Sequence, residues 1–160
     1  MNPSTLTVTS MTTAEEATAF RTLNEEWISH FFAALEESDH KTLDDPFTSI
    51  VDTGGDVLIV RDGREIVGCA AVVRSSAAVF ELSKMAVTPA ARGRGIGRQL
   101  IQAAIARARQ LGATTLFLGS NTKLANAVHL YENVGFQHVS PEQIPLPPYE
   151  RADVFMRMTL

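Results

Sequence analysis

Hydrophobic positions change their spacing several times along the 160 residues, and each change predicts an element. Leu6 to Thr9 alternates as a short strand. Thr12-Thr13-Ala14-Glu15-Glu16 then carries two overlapping capping boxes, in which a threonine hydroxyl and a glutamate three residues later satisfy each other's amides. A helical pattern starts there, with Phe20, Leu23, Trp27, Ile28, Phe31 and Leu35 as its apolar stripe and a division into two helices near Ser29. Asp45-Pro46 suits an N-cap followed by a first-turn proline, giving a short helix to about Val51. Gly54-Gly55 interrupts the chain before the β-rich run Val57 to Val60. Asp62-Gly63 reads as a tight hairpin turn, and the chain returns through Ile66 to Val73. A connection at Arg74-Ser75-Ser76 leads into a strand from Val79 to Val87, closed by Pro89.

The second half changes rhythm. Ile96, Leu100, Ile101, Ala104, Ile105, Ala108 and Leu111 lie on one face of a helix from Gly95 to Leu111, with Gly112 at its C′ position. Thr115 to Gly119 is a strand. Leu124, Ala127, Val128, Tyr131 and Val134 form a helical face closed by Gly135, and Phe136 to Val139 is a further strand. Pro141, Pro145, Pro147 and Pro148 stiffen a loop before the last strand, Asp153 to Thr159. Hairpins first and a βαβαβ half later imply an α/β fold: a central mixed sheet flanked by helices on both faces.

With 160 residues, 45% of them hydrophobic and 20% charged, residues 1–160 are expected to form one globular domain. No basic stretch followed by an apolar run opens the chain, and no apolar run is long enough for a bilayer; neither a secretory signal nor a membrane partner is expected. A single cysteine, Cys69, permits no internal disulfide and fits a reducing cytoplasm; inside an apolar run its thiol resists ionisation. His30, His40, His129 and His138 show no metal-ligand spacing, so no metal is expected. Residues 1–80 carry 13 Asp/Glu against 5 Lys/Arg, and residues 81–160 carry 5 against 9. The acidic excess either solvates helix surfaces or steers a cationic amine. The net charge of −4 argues against a nucleic-acid partner.

Arg92-Gly93-Arg94-Gly95-Ile96-Gly97 stands between the Val79–Val87 strand and the long helix. A glycine-rich turn that opens a helix presents unpaired N–H groups and the positive end of the helix dipole, a site for phosphate. Arg92, Arg94 and Arg98 add positive charge. The dinucleotide fingerprint is broken, because Arg98 stands where its third glycine belongs and Thr114 to Leu118 is uncharged where an acidic ribose ligand is due. No Gly-Lys-Ser/Thr of a nucleotide P-loop occurs.

What remains is Arg-x-x-Gly-x-Gly, as Arg92, Gly95 and Gly97. It resembles the pyrophosphate-binding turn of the GCN5-related N-acetyltransferase (GNAT) family. Leu130-Tyr131-Glu132-Asn133-Val134-Gly135-Phe136 resembles the family's helix-ending signature, and Glu81-Leu82-Ser83-Lys84-Met85-Ala86-Val87 resembles its fourth strand. The three stand in the family's order, within a match from about Val57 to the C-terminus.

This resemblance implies the GNAT acyl-CoA N-acyltransferase fold, with a mostly antiparallel mixed sheet. It implies acetyl-coenzyme A as cofactor and direct transfer to a primary amine, more readily that of a small molecule than of a peptide. The alternative is a non-catalytic acyl-coenzyme A binding module. Tyr131 matches the family's general acid towards sulfur, and Glu81 stands where some members place a base. An amine of pKa about 10.4 needs such a group to remove its proton. The resemblance further implies that the fourth strand parts from its neighbour, so that main-chain groups of Met85, Ala86 and Val87 meet the pantetheine arm as a strand would, with an oxyanion donor among them. Gly93, Arg94, Gly95, Ile96, Gly97 and Arg98 complete the cofactor set. Family members commonly carry an asparagine seven residues before the tyrosine; here Leu124 stands there, leaving Asn121 and Asn126 as polar contacts.

In this fold the first helices line the acceptor pocket, so Trp27, Phe31 and Phe32 are acceptor candidates, with Ser83, Tyr149 and Arg151. Arg151 either binds an acceptor carboxylate or pairs with Glu150 or Asp153. Ser83 and Met85 share a face with Glu81 unless a bulge intervenes. A homodimer is allowed.

Overall fold

The computed structural model describes residues 6–145 and 150–160. Seven strands form one sheet in the order β1-β2-β3-β4-β5-β7-β6: β1 (Leu6–Ser10), β2 (Asp56–Asp62), β3 (Glu65–Arg74), β4 (Val79–Val87), β5 (Thr115–Ser120), β6 (Gln137–His138) and β7 (Val154–Thr159). Every pairing is antiparallel except β4 with β5. Helices α1 (Ala14–Phe31), α2 (Glu37–Leu43), α3 (Ile96–Gln110) and α4 (Ala125–Val134) complete the fold.

Two cores share the sheet. Phe80, Leu82 and Leu116 pack on one face with Leu100, Ile101 and Ala104 of α3 and Tyr131 of α4. Val57, Ile59, Cys69 and Ala71 pack on the other with Phe20 and Ile28 of α1 and Leu43 of α2. Helices thus cover both faces, as the alternation of apolar patterns predicts.

Local chemistry sets the helix ends. The Thr13 hydroxyl accepts from the Glu16 amide at 3.1 Å, and the Glu16 carboxylate accepts from the amides of Thr12 and Thr13 at 2.8 and 3.2 Å. At the end of α3, Ala113 N–H reaches Ala108 O and Gly112 N–H reaches Arg109 O, with Gly112 at φ +102°. This is a Schellman closure, repeated at Gly135 and Phe136.

Two expectations shift. Helix α1 does not divide near Ser29; it runs to Phe31, where the chain turns extended at Phe32 (φ −133°, ψ 154°) before α2. Leu35 continues the spacing of the stripe but lies outside any helix. The hairpin turn is Gly63-Arg64, one residue later than Asp62-Gly63: Asp62 pairs with Glu65, and Gly63 takes φ +61°. Phe47–Val51 is a widened, π-type helical turn, whose Thr48 hydroxyl donates to Asp45.

Candidate active site

Strands β4 and β5 pair only from Val79–Thr115 to Glu81–Phe117. Beyond that point β5 stays paired with β7 through Ser120, while β4 continues to Val87 along β3. The strands have parted, leaving one edge of β4 open towards a cavity of about 410 Å³.

A bulge accompanies the parting. Ala71 faces Ser83 but Cys69 faces Ala86, so β4 holds one residue more than β3 across that step. Lys84 takes φ +53°, the only described non-glycine residue at positive φ, a conformation that costs a lysine about 1 kcal/mol. The extra residue inverts the alternation. Glu81 and Ser83 share the α1–α2 face through their partners Val73 and Ala71, whereas Met85 and Val87 pack on the α3–α4 face. Met85 therefore does not share a face with Glu81.

Lys84 turns under α2. Its Nζ lies 2.7 Å from Asp39 Oδ1, with both side chains essentially shielded from water. The same carboxylate receives Arg151 bidentately, Nη1 to Oδ2 at 2.6 Å and Nη2 to Oδ1 at 2.7 Å, and Arg151 Nη1 also reaches Glu36 Oε2 at 3.2 Å. Desolvation opposes ionisation of Asp39, but the hydrogen bonds and charges of Arg151 and Lys84 outweigh it and hold the carboxyl well below its usual range. Arg151 thus pairs with Asp39 and Glu36, not with Glu150 or Asp153. Asp153 instead accepts from the Thr122 amide and hydroxyl.

At the far mouth the chain passes from β4 into α3. The amides of residues 93–98 have no protein acceptor among the described residues, and the first main-chain bond of the helix is Gln99 N–H to Gly95 O. Gly93 and Gly95 take φ +81° and +76°, and a Cβ on either would meet nothing within 4 Å. The space above these donors is open. A Cβ on Gly97 would stand 3.0 Å from Leu130 Cδ2, so the first turn of α3 leans directly on α4 beside Tyr131.

The arginines differ in their duties. Arg92 and Arg98 are exposed, and Arg92 Nε donates to Val87 O at 3.3 Å. Arg94 points away to Asp62, 2.8 Å distant, with Nε buried and unpartnered among the described residues. It braces the turn against the β2–β3 hairpin rather than presenting charge to a ligand.

The cavity gathers many of the residues singled out in the sequence: Trp27, Phe31 and Phe32 from α1 and the segment after it, Ser83, Met85, Ala86 and Val87 along β4, and Arg92, Asn121, Asn126, Tyr131 and Arg151 around the rest, whereas residues 93–98 lie outside its lining. Tyr131 is 8% exposed and stacks edge-on against Phe136, 5.9 Å between ring centroids. Its hydroxyl has no protein partner among the described residues, and burial pushes it up to about 12. Glu81 is not part of the lining. It precedes the first lining residue of β4, Leu82, and is 7% exposed; burial pushes its carboxyl up to about 7 against a smaller opposing pull from Lys84.

The side chain of Asn121 is already occupied: Nδ2 donates to Arg151 O, and Oδ1 caps the following turn at Lys123 N–H. Leu124 lines the cavity at the start of α4. Tyr149 lies outside the described residues. Sequence reasoning missed Lys84, Asp39, Glu36 and Lys123. The Lys84 bulge shows only in the pairing register, and the charge partners lie more than a hundred residues from Arg151.

These donors fit an anionic, pyrophosphate-bearing ligand with an extended arm. Open amides and exposed guanidiniums suit the anion, and a free strand edge suits amide groups along the arm. Comparisons with known proteins agree. A family model described as an acetyltransferase (GNAT) domain matches residues 53–138. YjgM of Escherichia coli, an uncharacterized N-acetyltransferase, is 36% identical over 72 residues, covering 45% of this chain and 43% of the relative. The chain spans about half the length of the curated relatives it matches first. A GNAT acetyltransferase structure from Staphylococcus aureus superposes with TM-score 0.86 at 18% identity, covering 96% of this chain and 98% of that one. Spermidine N-acetyltransferase from Vibrio cholerae, solved with CoA and spermine, gives 0.72 at 20% identity, covering 98% and 96%. A mostly antiparallel sheet opened between β4 and β5, together with a family match over more than half its length, places this chain in the GNAT acetyltransferase family.

Proposed function

We propose that this protein is an N-acetyltransferase that moves an acetyl group from acetyl-coenzyme A to the primary amine of a small acceptor, by direct transfer with both bound. The observation that carries this reading is the cleft itself. An open strand edge and the Tyr131 hydroxyl, which has no partner among the described residues, line the cavity together with Arg92, and the amides of residues 93–98, likewise without acceptors among the described residues, follow directly after Arg92 along the chain.

The amides of residues 93–98 with Arg92 and Arg98 would hold the diphosphate, and the β4 edge at Met85, Ala86 and Val87 would hold the pantetheine arm. Acetyl-coenzyme A, when bound, supplies the acyl group as an activated thioester. Tyr131 keeps its proton at neutral pH as any phenol does, and burial raises it further, to about 12. In water a phenol and a thiol differ by about 1.5 pH units. Burial widens that gap from the phenol side, and the same dry cleft raises a neighbouring thiol as well. Tyr131 Oη is therefore a proton donor matched to a leaving sulfur. Glu81, near 7, is half ionised at neutral pH, the condition under which a carboxylate best accepts a proton from an amine, through water where the gap requires it.

Trp27, Phe31 and Phe32 would wall the acceptor. A small acceptor is favoured because these rings close one end of a cavity of only about 410 Å³. We further read residues 1–160 as one domain acting in the cytoplasm. Its one described cysteine is a buried free thiol pushed up to about 12, which needs no oxidising compartment. No helix among the described residues is long and apolar enough to cross a membrane.

Thiol release from acetyl-coenzyme A in the presence of pooled amines tests the reading. Turnover above the rate without amine is expected. Coenzyme A binding without any turnover would leave an acyl-coenzyme A binding module instead.

A further inference from the structure

Four cationic side chains line the cavity, Lys84, Arg92, Lys123 and Arg151, and no acidic one does among the described residues. Residues 146–149 and 1–5, outside the described residues, contain no Asp or Glu. Three of the four cations have evident duties. Lys84 and Arg151 are bound by Asp39 and Glu36, and Arg92 belongs to the anion-binding turn.

Lys123 stands apart from these. It is exposed, no carboxylate pairs with it among the described residues, and its Nζ lies 5.3 Å above the Phe32 ring. Phe32 also carries the Arg151 guanidinium at 5.7 Å and meets Trp27 edge-on at 6.4 Å. Lys123 is therefore directed to the aromatic, acceptor end of the cavity and not to the glycine turn. A polycation entering here would meet like charge on every charged side chain of the described lining and rings already carrying cations. An anionic group beside an apolar body would meet an ammonium with no competing carboxylate.

Resting on the acetyltransferase reading, we infer that the acceptor is a primary amine that also carries an anionic group on an apolar or aromatic body, with Lys123 as the residue that selects for the anion. The acidic excess of residues 1–80 does not create a cation site: among the acidic residues of α1 and α2, Glu15, Glu26 and Glu37 are exposed, Glu16 and Glu25 pair with Arg61 and Arg21, and Asp39 is consumed by Lys84 and Arg151.

Matched probes differing only in the carboxylate test this. By calorimetry, N-acetylphenylalanine is expected to bind about tenfold more tightly than N-acetylphenethylamine, the margin of one charge-assisted hydrogen bond. Lys123→Met should bring the ratio close to one and Lys123→Arg should restore it. Raising salt from 0.05 to 0.5 M should shrink it, as screening requires. In turnover, phenylalanine should exceed phenethylamine and spermidine in kcat/KM by a similar factor. Equal binding of the two probes by the unmodified protein, a ratio that survives Lys123→Met, or a preference for spermidine would each overturn the inference. A coenzyme A titration on the same sample reads the underlying activity separately. Loss of coenzyme A binding would sink the acetyltransferase reading while the probe ratio still reports the anion site.

Discussion

The buried carboxyl of Glu81 makes a prediction whose sign is opposite to that of most carboxylates. Its folded value is raised from 4.5 to about 7, first by burial, with Lys84 pulling weakly the other way. Between those two values the folded chain holds more protons at this position than the unfolded chain, so stability falls as pH rises. At 1.36 kcal/mol per pH unit, ionised Glu81 costs about 3.4 kcal/mol once the pH exceeds 7, and nothing below about 4. Glu81→Gln keeps the shape and removes the charge. Relative to the parent protein it should gain about 3 kcal/mol on going from pH 4.5 to pH 8, or roughly 6–12 °C in Tm for a chain of this size. Working with the difference between the two proteins cancels other groups, including Asp39, whose lowered carboxyl contributes stability that is lost on acidification. Urea denaturation of both proteins across that pH range is the assay. A difference that stays flat would mean that Glu81 is solvated like a surface carboxylate. Its role as a tuned proton acceptor would fall with it.

Other perturbations separate binding from chemistry. Tyr131→Phe should lower kcat about 100-fold while coenzyme A affinity by calorimetry changes less than twofold; since the hydroxyl has no partner among the described residues, Tm should barely move, and retained turnover would remove Tyr131 from the reaction. Gly95→Asn substitutes a residue that tolerates the φ of +76°, so the fold should persist while the side chain blocks a diphosphate; coenzyme A affinity should drop at least tenfold, and unchanged affinity would contradict the assignment. Asp39→Ala removes the carboxylate that Lys84 and Arg151 share, and loss of one partner from a buried pair costs about 3–5 kcal/mol. Urea denaturation at pH 7 should show that loss, and a change under about 1 kcal/mol would refute the burial argument.

The sequence made legible whatever is encoded within a few residues of itself. The Thr13–Glu16 capping box, the glycines at 112 and 135 and the glycine turn before α3 each carry their own physical reason, and all lie where local chemistry puts them. Features set by distant partners were not legible. The stripe continues in period through Leu35, yet α1 ends at Phe31, because helix period alone does not reveal an extended Phe32. The inversion of faces at Lys84 depends on how Cys69 and Ala71 register against β4. Arg94 and Arg151 looked available as charges, but Asp62, Asp39 and Glu36 come to them through tertiary contacts no spacing announces. The site thus divides cleanly: the anion-binding end is local and readable, and the acceptor end is assembled from α1, α2, β4 and the approach to β7.

The central claim is that main-chain amides at the start of α3 grip the diphosphate of coenzyme A. Amide chemical shifts followed by NMR during a coenzyme A titration test it most directly, with pantetheine alone as the comparison. Large shifts at residues 93–98 are predicted with coenzyme A and not with pantetheine, while the β4 residues Met85–Val87 should respond to both. Saturating coenzyme A that left the amides of 93–98 unmoved would contradict the account.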